Sequence, residues 1–170
     1  MYKTKDMFLG LFVCAAFFLN ATLYANELTM LEKAQQEKIN QKYNKANYYY
    51  FKILSKQANN EDALYGLAHS FHCLNQNDRA LIEVNKLLSI NLNSENGLEL
   101  RALINVKNQL WNNVLSDASL LIEINPMNAQ AYAYMDNAYS ALGNQAASDE
   151  AMKQYRKIKV MEENKNVDEL

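Results

Sequence analysis

The chain has 170 residues, with 17 basic and 19 acidic side chains and a net charge of −2. That balance is too mild for binding driven by nucleic-acid phosphates. Only four Gly and one Pro occur, and no Gly- or Pro-rich linker divides the chain, so one domain with one sizeable core is expected.

The first 25 residues read as an address. Lys3 and Lys5 precede an apolar run of 13 residues, Met7 to Leu19, and the segment ends at Leu23-Tyr24-Ala25. This basic, apolar, small-residue order is that of a secretory signal peptide cleaved after Ala25. Thirteen residues fall short of the roughly 20 that a helix needs to span a bilayer. The alternative is an uncleaved anchor. Cys14 follows Val13 in the middle of the run, which does not suit a lipid-modified cysteine. Of the two cysteines only Cys73 lies beyond the leader, so no internal disulfide is expected. The sequon Asn20-Ala21-Thr22 falls inside the leader. These features favour a bacterial periplasm. The ending Val167-Asp168-Glu169-Leu170 resembles an ER-retention signal, which makes the ER lumen the alternative in a eukaryotic source.

From residue 26 onward the chain repeats. Asn26, Asn60, Ser94 and Asn128 are helix-start residues spaced 34 apart. Asn and Ser cap helices because the side-chain oxygen accepts a bond from a free N–H of the first turn. With repeats beginning at 27, 61, 95 and 129, further columns align. The eighth position holds Ala34, Ala68, Ala102 and Asp136, and the twentieth holds Ala46, Ala80, Val114 and Ser148. The twenty-seventh holds Ile53, Leu87, Leu121 and Tyr155. Small residues at two columns let antiparallel helices approach, and large apolar ones fill the space around them.

These columns, with Trp111, the run Glu123-Ile124-Asn125-Pro126 and the turn at Leu142-Gly143, resemble the tetratricopeptide (TPR) family. The resemblance implies an all-α, right-handed superhelix of antiparallel helix pairs over residues 26–158. It comprises about three repeats (61–94, 95–128, 129–162) behind an N-terminal capping pair at 27–60. Residues 159–170 read as a charged tail. Lys33 and Glu37 replace apolar residues in the capping pair. Arg101 and Asn105 read as weaknesses in the third repeat, and Asp136 stands unexplained in a close-contact column.

No Gly-rich phosphate loop, Gly-x-Ser-x-Gly or Cys-x-x-Cys occurs. A catalyst is therefore not expected, nor a cofactor. Tyr65, His69, His72 and Cys73 share one helical face. A zinc or copper site at His69, His72 and Cys73 is one reading, but a fourth ligand is wanting beyond Asp62. The other reading makes these residues part of a partner groove. The TPR resemblance implies a concave wall of Tyr65, His69, His72 and Cys73, then Glu99, Leu103 and Val106, then Tyr134 and Asn137. The cations that clamp a chaperone's terminal carboxylate in some TPR domains are missing from the matching positions.

Residues 27–60 hold six Lys against three Glu, whereas 61–128 hold four basic against eight acidic residues. The basic part reads as a solvated face rather than a docking patch. The expected function is an exported adaptor that binds a peptide segment of another envelope or secretion-complex protein. A chaperone for exported proteins is the alternative. Met152, Tyr155 and Ile158 form a stripe on the last helix that suits weak self-association. No nucleic acid, and no stable membrane insertion after cleavage, is expected.

Overall fold

The computed structural model describes residues 29–168; the leader, Asn26 and the last two residues lie outside them. Eight helices occur in this span, and no strand among the described residues. Helix α1 covers 29–39 of the described residues. It is followed by α2 (Tyr43–Leu54), α3 (Glu61–Cys73), α4 (Asn77–Ile90), α5 (Glu95–Lys107), α6 (Trp111–Ile124), α7 (Ala129–Ala141) and α8 (Gln145–Asp168). From α2 onward each helix packs on the next in sequence, so the chain is an all-α array of antiparallel helix pairs.

The 34-residue spacing has a physical origin at both ends of the first helix of each pair. At the start, Asn60, Ser94 and Asn128 sit in extended backbone, and their side chains accept from Ala63 N, Gly97 N and Ala131 N at 2.9, 3.3 and 3.0 Å. At the end, Gln41, Asn75, Gln109 and Gly143 all have positive φ, between 57° and 76°. Each closes a left-handed helix terminus: Gln76 N reaches back to Phe71 O, Leu110 N to Asn105 O and Asn144 N to Tyr139 O, all at 2.9 Å. These are six-to-one bonds that satisfy carbonyls the helix leaves open.

The small-residue columns are buried as expected. Ala34, Ala68 and Ala102, with Ala46, Ala80 and Val114, are fully inaccessible, and Ile53, Leu87 and Leu121 are no more than 1% exposed. Tyr50 of α2 lies over Gly66 of α3, where any Cβ would collide with the phenol ring. Burial, helped by the Asp62 charge, pushes the Tyr50 hydroxyl up to about 12, so it stays neutral.

Two expected weaknesses turn out to be a matched set. Asp117 of α6 is almost fully buried and accepts from Arg101 Nη2 at 2.6 Å and from Arg101 Nε at 3.1 Å. Asn105 Nδ2 donates to the same carboxylate at 3.4 Å, and Arg101 Nη1 donates to Asn85 of α4 at 3.0 Å. A buried charge is tolerated only when paired and bonded, and here one network ties α4, α5 and α6 together. Asp136 has a similar account. Ser148 Oγ donates to its Oδ1 at 2.5 Å, so a hydroxyl–carboxylate bond stands where the other pairs have two small apolar residues.

The C-terminal boundary differs from the expected one. The charged stretch after 158 is not a separate tail: α8 continues unbroken to Asp168. Charged side chains pair along it, as between Lys159 and Glu162, and no Gly or Pro interrupts the run. Ile158 is buried at 3% exposure, whereas Val160 and Met161 are exposed at 55% and 46%.

Candidate functional site: the inner wall of the array

Curvature follows from which helices touch. Helix α3 contacts α5, and α5 contacts α7, while α4 and α6 do not contact each other. The first helices of the pairs therefore crowd together on the inside, and the second helices splay apart outside. The inner wall is built by α3, α5 and α7, and its side chains come from one face of each.

At the N-terminal end the structure brings Tyr65, His69 and Cys73 together. The Tyr65 and His69 rings lie 6.0 Å apart, and Cys73 Sγ lies 3.6 Å from His69 Nδ1. Lys38 of α1 places its Nζ 5.7 Å from the centre of the Tyr65 ring. Burial, then the positive charge of Lys38 and of His72, holds His69 below the usual imidazole range. Burial and the Glu99 charge raise the Tyr65 phenol. His72 turns its Nδ1 to Asn77 Oδ1 at the start of α4, 3.0 Å away.

In the middle of the wall, Glu99 is half-buried and fixed. Its Oε1 accepts from Asn128 Nδ2 at 2.9 Å, and its backbone carbonyl accepts from the Tyr134 hydroxyl at 3.4 Å. Asn128 thus caps α7 with its oxygen and steadies the wall with its nitrogen. Leu103 is exposed at 38% and Val106 is half-buried, which leaves an apolar step on α5. Tyr134 departs from expectation. At 6% exposure its ring belongs to the core. Asn137 is exposed on α7.

The arrangement suits binding. The accessible surface combines a ring, an imidazole kept neutral, a thiol, one fixed carboxylate and an apolar step. No group of three His, Cys, Asp or Glu side chains among the described residues is placed to hold a metal ion. His69, His72 and Cys73, the expected alternative set for zinc or copper, are not gathered into such a group. Sequence reasoning missed Lys38 and Asn128. Lys38 belongs to the capping pair and meets Tyr65 only through the fold. Asn128 was read as a cap alone, and nothing local marks its second bond. A polar cleft of about 340 Å³ opens on the other side, between α4 and α6, around Arg101 and Asp117. The groups at its floor bond to one another.

No protein-family model matches the chain, and no curated protein sequence matches it. Solved structures do. A MamA crystal structure aligns at TM-score 0.78 and 16% identity, covering 96% of this chain and 98% of that one. A tetratricopeptide repeat protein from Parabacteroides merdae aligns at TM-score 0.70 and 21% identity, covering 76% of this chain and 51% of that one. YrrB, described as a TPR protein with an unusual peptide-binding site, aligns at 0.67 and 19%, covering 74% and 64%. The fold is the TPR superhelix.

Proposed function

We propose that this protein is a non-catalytic adaptor that holds a peptide segment of another protein against the inner wall of α3, α5 and α7. One observation carries the reading. Tyr65, His69, Leu103 and Val106 form a partly exposed, mainly apolar path across α3 and α5, beside the fixed carboxylate of Glu99. Apolar and aromatic side chains at the centre of a concave surface are what anchor a peptide in a groove. The likeness to YrrB lends support, since its described peptide-binding site rests on the same fold. Capture of the partner from the source cell by wild type and by a Tyr65→Ala, His69→Ala, Leu103→Ala variant tests this. The variant should lose capture while keeping its helical circular-dichroism signal. Equal capture would overturn the groove as the binding surface.

We further place the adaptor outside the cytoplasm, in a bacterial envelope, on the strength of the leader at residues 1–25. N-terminal sequencing of protein from its native compartment should return Asn26 as the first residue. Intact Met1 in a membrane fraction would support the anchor instead. The stripe expected on α8 is broken up, since Ile158 is buried and Met152 and Tyr155 are half-buried, so we move the weak contact between copies to Val160 and Met161, which stand exposed further along the same helix. Sedimentation of wild type against a Val160→Glu, Met161→Glu variant tests this. A monomer at high concentration in both forms would remove self-association from the account.

A further inference from the structure

The outer face of α2 carries a surface that groove binding leaves unused. From Lys38 to Asn60 the chain has five lysines and no acidic residue. Helix α2 turns Ala46, Asn47, Tyr50 and Ile53 into the core. At about 100° per residue the opposite arc then presents Lys45, Tyr48, Phe51 and Lys52, with Lys56 just past the helix end. All five are exposed, Tyr48 at 55% and Phe51 at 46%. The arc is organised. Lys52 Nζ sits 4.7 Å from the centre of the Tyr48 ring. Phe51 leads inward to Phe71 at 6.1 Å, and the Arg79 guanidinium lies 3.9 Å over Phe71. Arg79, which donates to Gln76 Oε1 at 2.8 Å, adds a cation beside the α2 lysines.

Exposed apolar residues scattered singly are ordinary, but two rings side by side among lysines on one arc form a patch. Rings flanked by lysines suit the boundary of a bilayer, where the apolar ring body enters the acyl edge and the ammonium groups meet the headgroups. We propose that this face of α2 docks the protein on an anionic lipid surface. The charge distribution orients the same contact. Residues 61–128 hold eight acidic against four basic side chains, so an anionic surface attracts the α2 end and repels the rest. Lipid fits better than nucleic acid because α2 itself has no arginine and its exposed face is a convex arc, not a charged groove tracking a backbone. The contact is peripheral: no described helix is long and apolar enough to cross a membrane.

Lysine acetylation of the full chain, read residue by residue by mass spectrometry, tests the proposal. The chain is labelled with vesicles of phosphatidylcholine alone, or with about a third phosphatidylglycerol. Labelling of Lys45, Lys52 and Lys56 should slow severalfold on the anionic vesicles and stay unchanged on neutral ones. Lys86 and Lys153, elsewhere on the array, should label alike on both. The serine variant below keeps residues 1–25, so any protection it retains belongs to the leader and not to α2. A Tyr48→Ser, Phe51→Ser variant should lose most of the protection with its melting temperature unchanged. Raising salt to about 1 M, where screening acts within 3 Å, should abolish the protection. Equal labelling of the three lysines on both vesicle types would overturn the proposal. So would protection spread evenly to Lys86 and Lys153, or undiminished in the serine variant. Equal protection by an RNA homopolymer at the same phosphate concentration would overturn the choice of lipid.

Discussion

Two neighbouring helix pairs place the same columns in the same geometry with opposite chemistry. In α3–α4 the seventh and eleventh positions are Leu67 and Phe71, buried to 2% or less. In α5–α6 they are Arg101 and Asn105, bonded to the buried Asp117. Both pairs keep Ala68 or Ala102 and Leu87 or Leu121 sealed in the core. The difference teaches that this architecture needs close approach at the small columns. The neighbouring columns can be apolar or polar, provided that a polar one is matched across the helix pair. A lone Arg at position 101 would be a defect. With Asp117 opposite and Asn85 on the preceding helix it becomes a clamp between repeats.

The sharpest way to break this equivalence is to remove one member of the polar set. Asp117→Ala strands the partly buried Arg101 and should cost about 3–5 kcal/mol, read by urea unfolding. Asp117→Leu combined with Arg101→Leu should recover most of that loss, since apolar replacement of a buried pair is often neutral. A loss below ~1 kcal/mol for Asp117→Ala would mean that water reaches the pair.

The shared columns should respond alike in both pairs. Leu87→Ala and Leu121→Ala each remove a side chain no more than 1% exposed and should each cost about 2–5 kcal/mol. Values differing by more than a factor of two would show that the polar pair relaxes around a cavity as the apolar pair does not.

A smaller effect tests the corners. Gln109 holds a left-handed backbone at φ 57°, as Asn75 does in the preceding pair. A long side chain is less comfortable there than Asn or Gly. Gln109→Gly should raise stability by up to about 1 kcal/mol, and Asn75→Gly by less. A loss at both sites would show that the Gln109 side chain stabilises the corner.

The smallest effect concerns pH. His69 titrates below its ordinary range because burial and Lys38 oppose its protonation. The unfolded chain therefore takes up the proton first, and stability falls as pH drops from the ordinary imidazole value toward the lowered one, with no change above it. His69→Gln should flatten that part of the melting-temperature profile. An unchanged slope in the variant would assign it to other groups.

Much of the fold was legible because its cause is periodic. Asn60, Ser94 and Asn128 announce helix starts through cap chemistry that any sequence displays. The corner column was half legible: Gly143 and Asn75 suit a left-handed terminus, whereas Gln41 and Gln109 do not advertise one. The polar set was misread because Arg101 and Asp117 lie 16 residues apart, a spacing that only the paired helices bring together. The inner wall was legible as a set of positions but not as a surface. The sequence places Tyr134 on that wall, yet its hydroxyl bond to Glu99 O draws the ring into the core. Lys38 reaches the wall from outside the repeats that define it. The helical run from 159 to 168 was hidden by its charge, which reads as a tail until i,i+3 pairing is considered.

The central claim is that the inner wall receives the partner, and photo-crosslinking tests it most directly. A photoreactive residue replaces Leu103 on the inner wall in one protein and Ile82, exposed at 55% on α4, in another. Crosslinks to a single partner segment from position 103, with none from position 82, are the predicted result. Crosslinking of the same partner from position 82 and not from 103 would contradict the account.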